Sequence, residues 1–106
     1  MNEDILQLLF KTILDRKAHP AEYSYTSSLF AKGGDKILKK LGEESTELVI
    51  AGKGGERSEI IYETADLLYH TLVLLAHHNV TLDDVYGELR KRFGTSGIEE
   101  KASRVK

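Results

Sequence analysis

Apolar residues recur along this chain at the spacing of helical turns, and glycine, proline or asparagine stands at the breaks between the runs. Ile5, Leu6, Leu8, Leu9 and Ile13 give a first helix an apolar face. Asn2 is placed to cap it with Glu3 and Asp4 in its first turn, and it must end before Pro20. Residues 19–34 read as a hydroxyl-rich connection with one helical turn from Ser27 to Ala31. Asp35 is the expected cap of a second long helix from Lys36 to Ala51, stopped by the run Gly52-Lys53-Gly54-Gly55. Ser58 then caps a third from Glu59 to His78, which Asn79 closes in the left-handed conformation. Its stripe Ile61, Ala65, Leu68, Leu72 and Leu75 is matched on the other side by Val73 and Leu74, so little of it is left for water and it is expected to be central. Thr81 to Asp84 open a last helix in a near capping box, with Val80 and Val85 spaced as a staple and Val85, Leu89 and Phe93 as its packing face, ending near Gly94. The pattern predicts an all-α antiparallel bundle of four to five helices.

Composition narrows this. A chain of 106 residues with 41% hydrophobic and 30% charged residues and a single proline suits one helical domain, residues 1–106, with a core modest enough to make a partner subunit plausible. The absence of cysteine excludes disulfides, thiolate metal sites and cysteine nucleophiles. The acidic start and the lack of any apolar run near the ~20 residues of a membrane span predict neither export nor insertion, hence a cytoplasmic setting with no membrane partner. A net charge of −2 gives no footprint for a nucleic acid polymer, although lysines gather at residues 32–40.

The departure from a plain helical bundle is acidic. Glu44 falls on the stripe of Ile37, Leu41 and Leu48, with Glu47 at its edge, so a carboxylate occupies an aliphatic position. Glu44 with Glu47, and Glu63 with Asp66, are pairs three apart, which on helices share a face with Cβ atoms about 5–6 Å apart. A hairpin through the glycine run can bring all four together. Clustered carboxylates repel one another and resist burial, and a hard divalent cation such as Mg²⁺, which takes oxygen ligands and shares its shell with phosphates, removes that conflict. The plainer reading is a pair of solvated acidic faces. Lys36 and Lys40 precede the acids, and Lys40 is one turn from Glu44, able to pair with it or to reach a phosphate. Gly42 in mid-helix suggests a close approach by a neighbouring helix or a ligand. His70, one turn after Asp66, reads as a packed histidine bonded to a neighbour rather than a ligand of a hard metal. Ser24, Tyr25 and Thr26 can bind a polar ligand or serve as turn chemistry, and Arg104 in the glycine-hinged tail can meet an anion. No Walker or dinucleotide glycine motif is present, so phosphate has to be held through metal and lysine. Metal ions bound at such a site can polarise a phosphoryl oxygen and orient a water for in-line attack, with one carboxylate as proton acceptor.

Glu43-Glu44-x-x-Glu47 followed by Glu63-x-x-Asp66 resembles the all-α MazG-like nucleotide pyrophosphohydrolases. The longer string from Ser24-Tyr25-Thr26 through Asp35-Lys36, Lys40 and Gly42-Glu43-Glu44, with Gly97-x-Glu99 and Ser103-Arg104 at the end, is similar to the phosphoribosyl-ATP pyrophosphatase family of histidine biosynthesis over the whole chain. That resemblance implies a MazG-like homodimer that hydrolyses phosphoribosyl-ATP with Mg²⁺. It also implies metal ligation by Glu44, Glu47, Glu63 and Asp66, with Glu43 and Glu44 as the catalytic acids. Substrate contacts would come from Ser24, Tyr25, Thr26, Lys36, Lys40 and Arg104. The alternatives are a house-cleaning nucleoside triphosphate pyrophosphohydrolase and a non-catalytic helical dimerisation module.

Overall fold

The computed structural model describes residues 4–93, which form five helices: α1 (Ile5–Ala18), α2 (Tyr25–Lys32), α3 (Gly34–Gly54), α4 (Arg57–His77) and α5 (Leu82–Arg92). Each boundary has a chemical cause, and several differ from the sequence expectation. Asp4, not Asn2, caps α1, its carboxylate accepting from the Leu6 N–H at 3.0 Å, while Asn2, Glu3 and the tail with Arg104 lie outside the described residues. The expected single turn between α1 and α3 is a full helix of 8 residues, because Ser24 caps it by accepting from Ser27 N–H. Asp35 sits inside the first turn of α3 instead of capping it, and the cap position is Gly33 at φ 93°. Likewise α4 starts from Glu56, so Ser58 falls within the helix.

The glycine run stops α3 only at its last member. Gly52 and Gly54 stay helical, and Gly55 alone takes the left-handed conformation, φ 80°, with its N–H bonded to Ala51 O at 3.0 Å. With only Gly55 and Glu56 between them, α3 and α4 fold back as an antiparallel hairpin, the most extensive helix pairing in the molecule.

α4 lies at the centre, packed on α3 and α1, and α2 bridges α1 and α3. The core comprises Phe10 and Ile13 of α1, Leu29 of α2, Ile37 of α3, Leu72, Val73 and Ala76 of α4, and Leu82 of α5. All of the hairpin's contribution to this cluster comes from the half far from Gly55. The inward side of α1 is Leu6, Leu9, Phe10 and Ile13, and the expected Ile5 and Leu8 are exposed. On α4 the stripe divides: Leu72 is buried, but Ile61 and Leu68 face out. Leu89 and Phe93 are exposed too, so α5 docks through Leu82 and Tyr86 and not through its expected packing face.

Polar ties fix this end. Lys17 of α1 donates to Ala76 O at 2.6 Å and to Asn79 Oδ1 at 2.9 Å, adding to the Asn79 N–H bond on Ala76 O at the end of α4, where Asn79 turns left-handed at φ 59°. Thr81 and Asp84 complete a reciprocal capping box, and bonds from Thr81 hold the Asp84 carboxyl below its ordinary range. Among the described residues no helix is long and apolar enough to cross a membrane.

Candidate active site

Hairpin geometry brings the acids opposite one another. Glu44 and Asp66 stand eleven residues before and after Gly55, and Glu47 and Glu63 stand eight before and after it. In an antiparallel pair, residues equidistant from the turn lie at the same level. The result is two acidic rungs, and the inner one is closed: ligand atoms of Glu44, Asp66 and His70 all lie within 4.8 Å of one another.

Glu44 is buried on the inward stripe of α3, and its carboxyl is pushed above the ordinary range. The hydrogen bond with the Asp66 carboxyl is the largest cause, burial and the repulsion of Asp66 add to it, and Lys40 opposes it. Two ionised carboxyl groups that close repel each other, and a further cation beside them would relieve the repulsion. The outer rung is open. Glu47 is exposed and Glu63 half-buried, and Glu63 is shifted upward by desolvation first and then by the charges of Glu47, Asp66 and Glu59. The four acids therefore form a ladder along the groove and do not meet at one point.

Lys40 spans Glu43 at 3.3 Å and Glu44 at 3.5 Å, and its bond to Glu43 raises its ammonium above the ordinary value. Glu43 is more exposed, on the outer flank of the same ion pair. Lys36 lies one turn before Lys40 on α3 and is half-buried. Among the described residues nothing lies within 4 Å of a Cβ built at Gly42; the close approach occurs at Gly34, where a Cβ would stand 3.0 Å from His77 Nε2.

α2 forms the remaining wall. Ser24 serves as its cap, whereas Tyr25 and Thr26 face α4: the Tyr25 hydroxyl is 3.0 Å from His70 Nε2, and Thr26 is hydrogen-bonded to the Tyr69 hydroxyl. The His70 ring stands edge-on to both tyrosines, at 5.8 Å and 78° from Tyr25 and at 5.0 Å and 87° from Tyr69. Desolvation raises the Tyr25 phenol, Lys40 opposes that, and the negative charges of Asp66 and Glu44 reinforce it. His70 is packed and bonded to neighbours, as its sequence position implied, but its membership of the acid cluster was missed. The signal was there in its spacing of one turn from Asp66. Tyr69 was missed for a different reason, since one aromatic on an apolar helix gives no sign of a partner.

The oxygen-rich cluster suits a hard divalent cation, because its charge would offset the repulsion between the buried Glu44 carboxyl and the half-buried Asp66 carboxyl.

The family model described as phosphoribosyl-ATP pyrophosphohydrolase matches residues 6–93, which include every candidate site residue except Arg104. The chain is 68% identical over 104 residues to the phosphoribosyl-ATP pyrophosphatase of Geotalea daltonii, with 98% of each chain covered. It is 68% identical over 106 residues to that of Geobacter sulfurreducens, again with 98% of each covered. A third relative, the histidine biosynthesis bifunctional protein HisIE of Caldanaerobacter subterraneus, is 54% identical over 90 residues that span 85% of this chain and 44% of that protein.

Proposed function

The chain belongs to the phosphoribosyl-ATP pyrophosphohydrolase family, and we propose how its residues carry out that family's reaction. The reaction is hydrolysis of 1-(5-phosphoribosyl)-ATP to 1-(5-phosphoribosyl)-AMP and pyrophosphate in histidine biosynthesis, and a single domain of residues 1–106 in the cytoplasm performs it. The observation that carries the reading is the closed rung of Glu44 and Asp66, with Glu47 and Glu63 on the next rung, at the same level across the hairpin.

Mg²⁺ would be held along this ladder by Glu44, Asp66, Glu47 and Glu63, and it would supply a reversal of the local sign that attracts a polyphosphate and polarises its phosphoryl oxygens. Lys36 and Lys40 meet phosphate oxygens from the first half of α3. Their approach draws Lys40 away from Glu43, leaving that carboxylate free to accept a proton. A water oxygen bonds to phosphorus, the bridging P–O bond of the α–β anhydride breaks, and the water proton passes to Glu43. Ser24, Tyr25 and Thr26 border the sugar, and Arg104 reaches the charged end of the substrate from the tail.

A homodimer completes the reading. Exposed apolar residues lie on both helices of the hairpin, Val49 at 70% and Ile50 at 61% on α3, Ile61 at 55% and Leu68 at 44% on α4, and a second copy covers those of α4. Ile61→Lys is expected to yield monomers in analytical ultracentrifugation with helicity retained, and an unchanged assembly would place the interface elsewhere.

The decisive experiment measures pyrophosphate release from phosphoribosyl-ATP and from a panel of nucleoside triphosphates, with and without Mg²⁺. Turnover should require the metal and favour phosphoribosyl-ATP strongly. Equal use of the panel would make this a house-cleaning pyrophosphohydrolase, and no metal-dependent release would leave only a dimerisation module.

A further inference from the structure

One buried group takes no part in that scheme. His70 is 3% exposed, wedged between two tyrosine rings, and its two nitrogens face opposite ways. Nδ1 is 2.8 Å from the Asp66 backbone carbonyl and 3.4 Å from Asp66 Oδ1, both of which are acceptors, so Nδ1 carries the ring proton. In the neutral ring Nε2 is then a lone pair. The partner facing it at 3.0 Å is the Tyr25 hydroxyl, which has one proton to give. The chain of donation runs from Tyr25 to His70 to Asp66.

We propose that His70 is a positioning residue whose Nε2 accepts the hydrogen bond of the Tyr25 hydroxyl, so that Tyr25 presents only lone pairs to the substrate and selects a hydroxyl or amino group of the nucleotide, not a phosphate oxygen. This rests on the functional reading above and assigns a polarity within its pocket. Tyr25 is 49% exposed, so its ring is open to a ligand, and it feels the charges of Lys40, Asp66 and Glu44, which places it at the edge of the acid cluster. Phosphate oxygens only accept, and a phenol oxygen whose proton is committed elsewhere repels them. Ribose hydroxyls and the adenine amino group donate. A tyrosine beside a polyphosphate site would ordinarily be read as a phosphate donor, and the His70 bond rules that role out.

Two probes separate the roles. Tyr25→Phe and His70→Asn are compared with the unaltered protein for kcat and KM on phosphoribosyl-ATP, and for calorimetric binding of pyrophosphate with Mg²⁺, which has no sugar or base. Tyr25→Phe should raise KM by about threefold to tenfold, the weight of one neutral hydrogen bond, with kcat and pyrophosphate affinity unchanged. The amide of His70→Asn can still donate to the Asp66 carbonyl but gives Tyr25 no acceptor at Nε2. The freed phenol should then donate to phosphate, raising pyrophosphate affinity, and that gain should vanish in the Tyr25→Phe/His70→Asn double variant. Equal losses of substrate and pyrophosphate binding in Tyr25→Phe would overturn the proposal, as would no effect on either. If His70→Asn fails to fold by thermal melting, Tyr25→Phe alone decides. Failure of the unaltered protein to turn over phosphoribosyl-ATP would count against the functional reading, and the pyrophosphate arm would still decide the polarity of Tyr25.

Discussion

The two halves of the α3–α4 hairpin obey opposite rules. Far from Gly55, Ile37, Leu72, Val73 and Ala76 are buried together, and the surrounding polar groups serve as caps. Towards Gly55 the balance shifts: Glu44 is buried along with the small Ala51, while the larger Val49, Ile50 and Ile61 face outward. Continuous helices join the halves, so propensity does not distinguish them. The difference lies in what each half is folded against. One is packed on α1 and α2, and the other carries the Glu44–Asp66 pair between its helices and exposed apolar side chains outside, the features that the proposed function assigns to a cation and a second copy. The far half supplies the stability that holds two repelling carboxylates in register.

The largest test of this contrast removes the buried charge. Glu44→Gln and Asp66→Asn should each lower Mg²⁺-dependent turnover by on the order of a hundredfold or more, since even groups one shell removed from a metal cost 10–100-fold. Yet the metal-free protein should melt no lower, and in the Glu44→Gln case higher, because a repulsion has been removed. pH gives the sign independently. The folded state raises the Glu44 carboxyl above its unfolded value of 4.5, so between the two values it binds more protons than the unfolded chain does. Stability of the metal-free protein should therefore fall as pH rises through that window, and should level off above it. Melting curves across pH should show this slope in the unaltered protein and lose it in Glu44→Gln. Added Mg²⁺ should remove the loss at high pH.

In the far half the same logic runs in reverse. Ile37 is 1% exposed, and Ile37→Ala should cost about 2–5 kcal/mol, the usual range for emptying a filled aliphatic site. Urea melts should record that loss, while the KM of the remaining folded protein stays near that of the unaltered one. A variant that retained its stability but lost substrate affinity would erase the division between the halves.

Periodicity made the far half and the hairpin legible: helix count, the central place of α4 and the Thr81–Asp84 box all follow from spacing. It also marked Glu44 as misplaced, which is the site's main signature. Hydrophobic spacing does not tell which apolar face meets the chain's own core and which waits for another molecule, so Ile61, Leu68, Leu89 and Phe93 were assigned inward and stand outward. Cap positions slipped by one or two residues where several capping residues adjoin, as at Asp35 and Ser58. The Tyr25–His70 bond joins α2 to α4 across 45 positions of sequence, and no local pattern encodes such a pairing.

Glycine gives the finest test, because the two halves assign it different work. At Gly34 a Cβ would lie 3.0 Å from His77 Nε2, closer than the two can comfortably stand, so the end of α4 rests directly on the start of α3. Gly34→Ala should destabilise by about 1 kcal/mol, toward the low end of the cost of overpacking, and His77→Ala should relieve it. At Gly42 nothing among the described residues lies within 4 Å of the added methyl, and the residue is exposed in mid-helix. Gly42→Ala should then stabilise by roughly 0.5–1 kcal/mol through reduced freedom of the unfolded chain. Thermal melts of the two single variants should move in opposite directions. If Gly42→Ala melts higher but loses turnover or assembly, the open space beside Gly42 is filled by substrate or by the second copy, and glycine there serves the site at the expense of the helix.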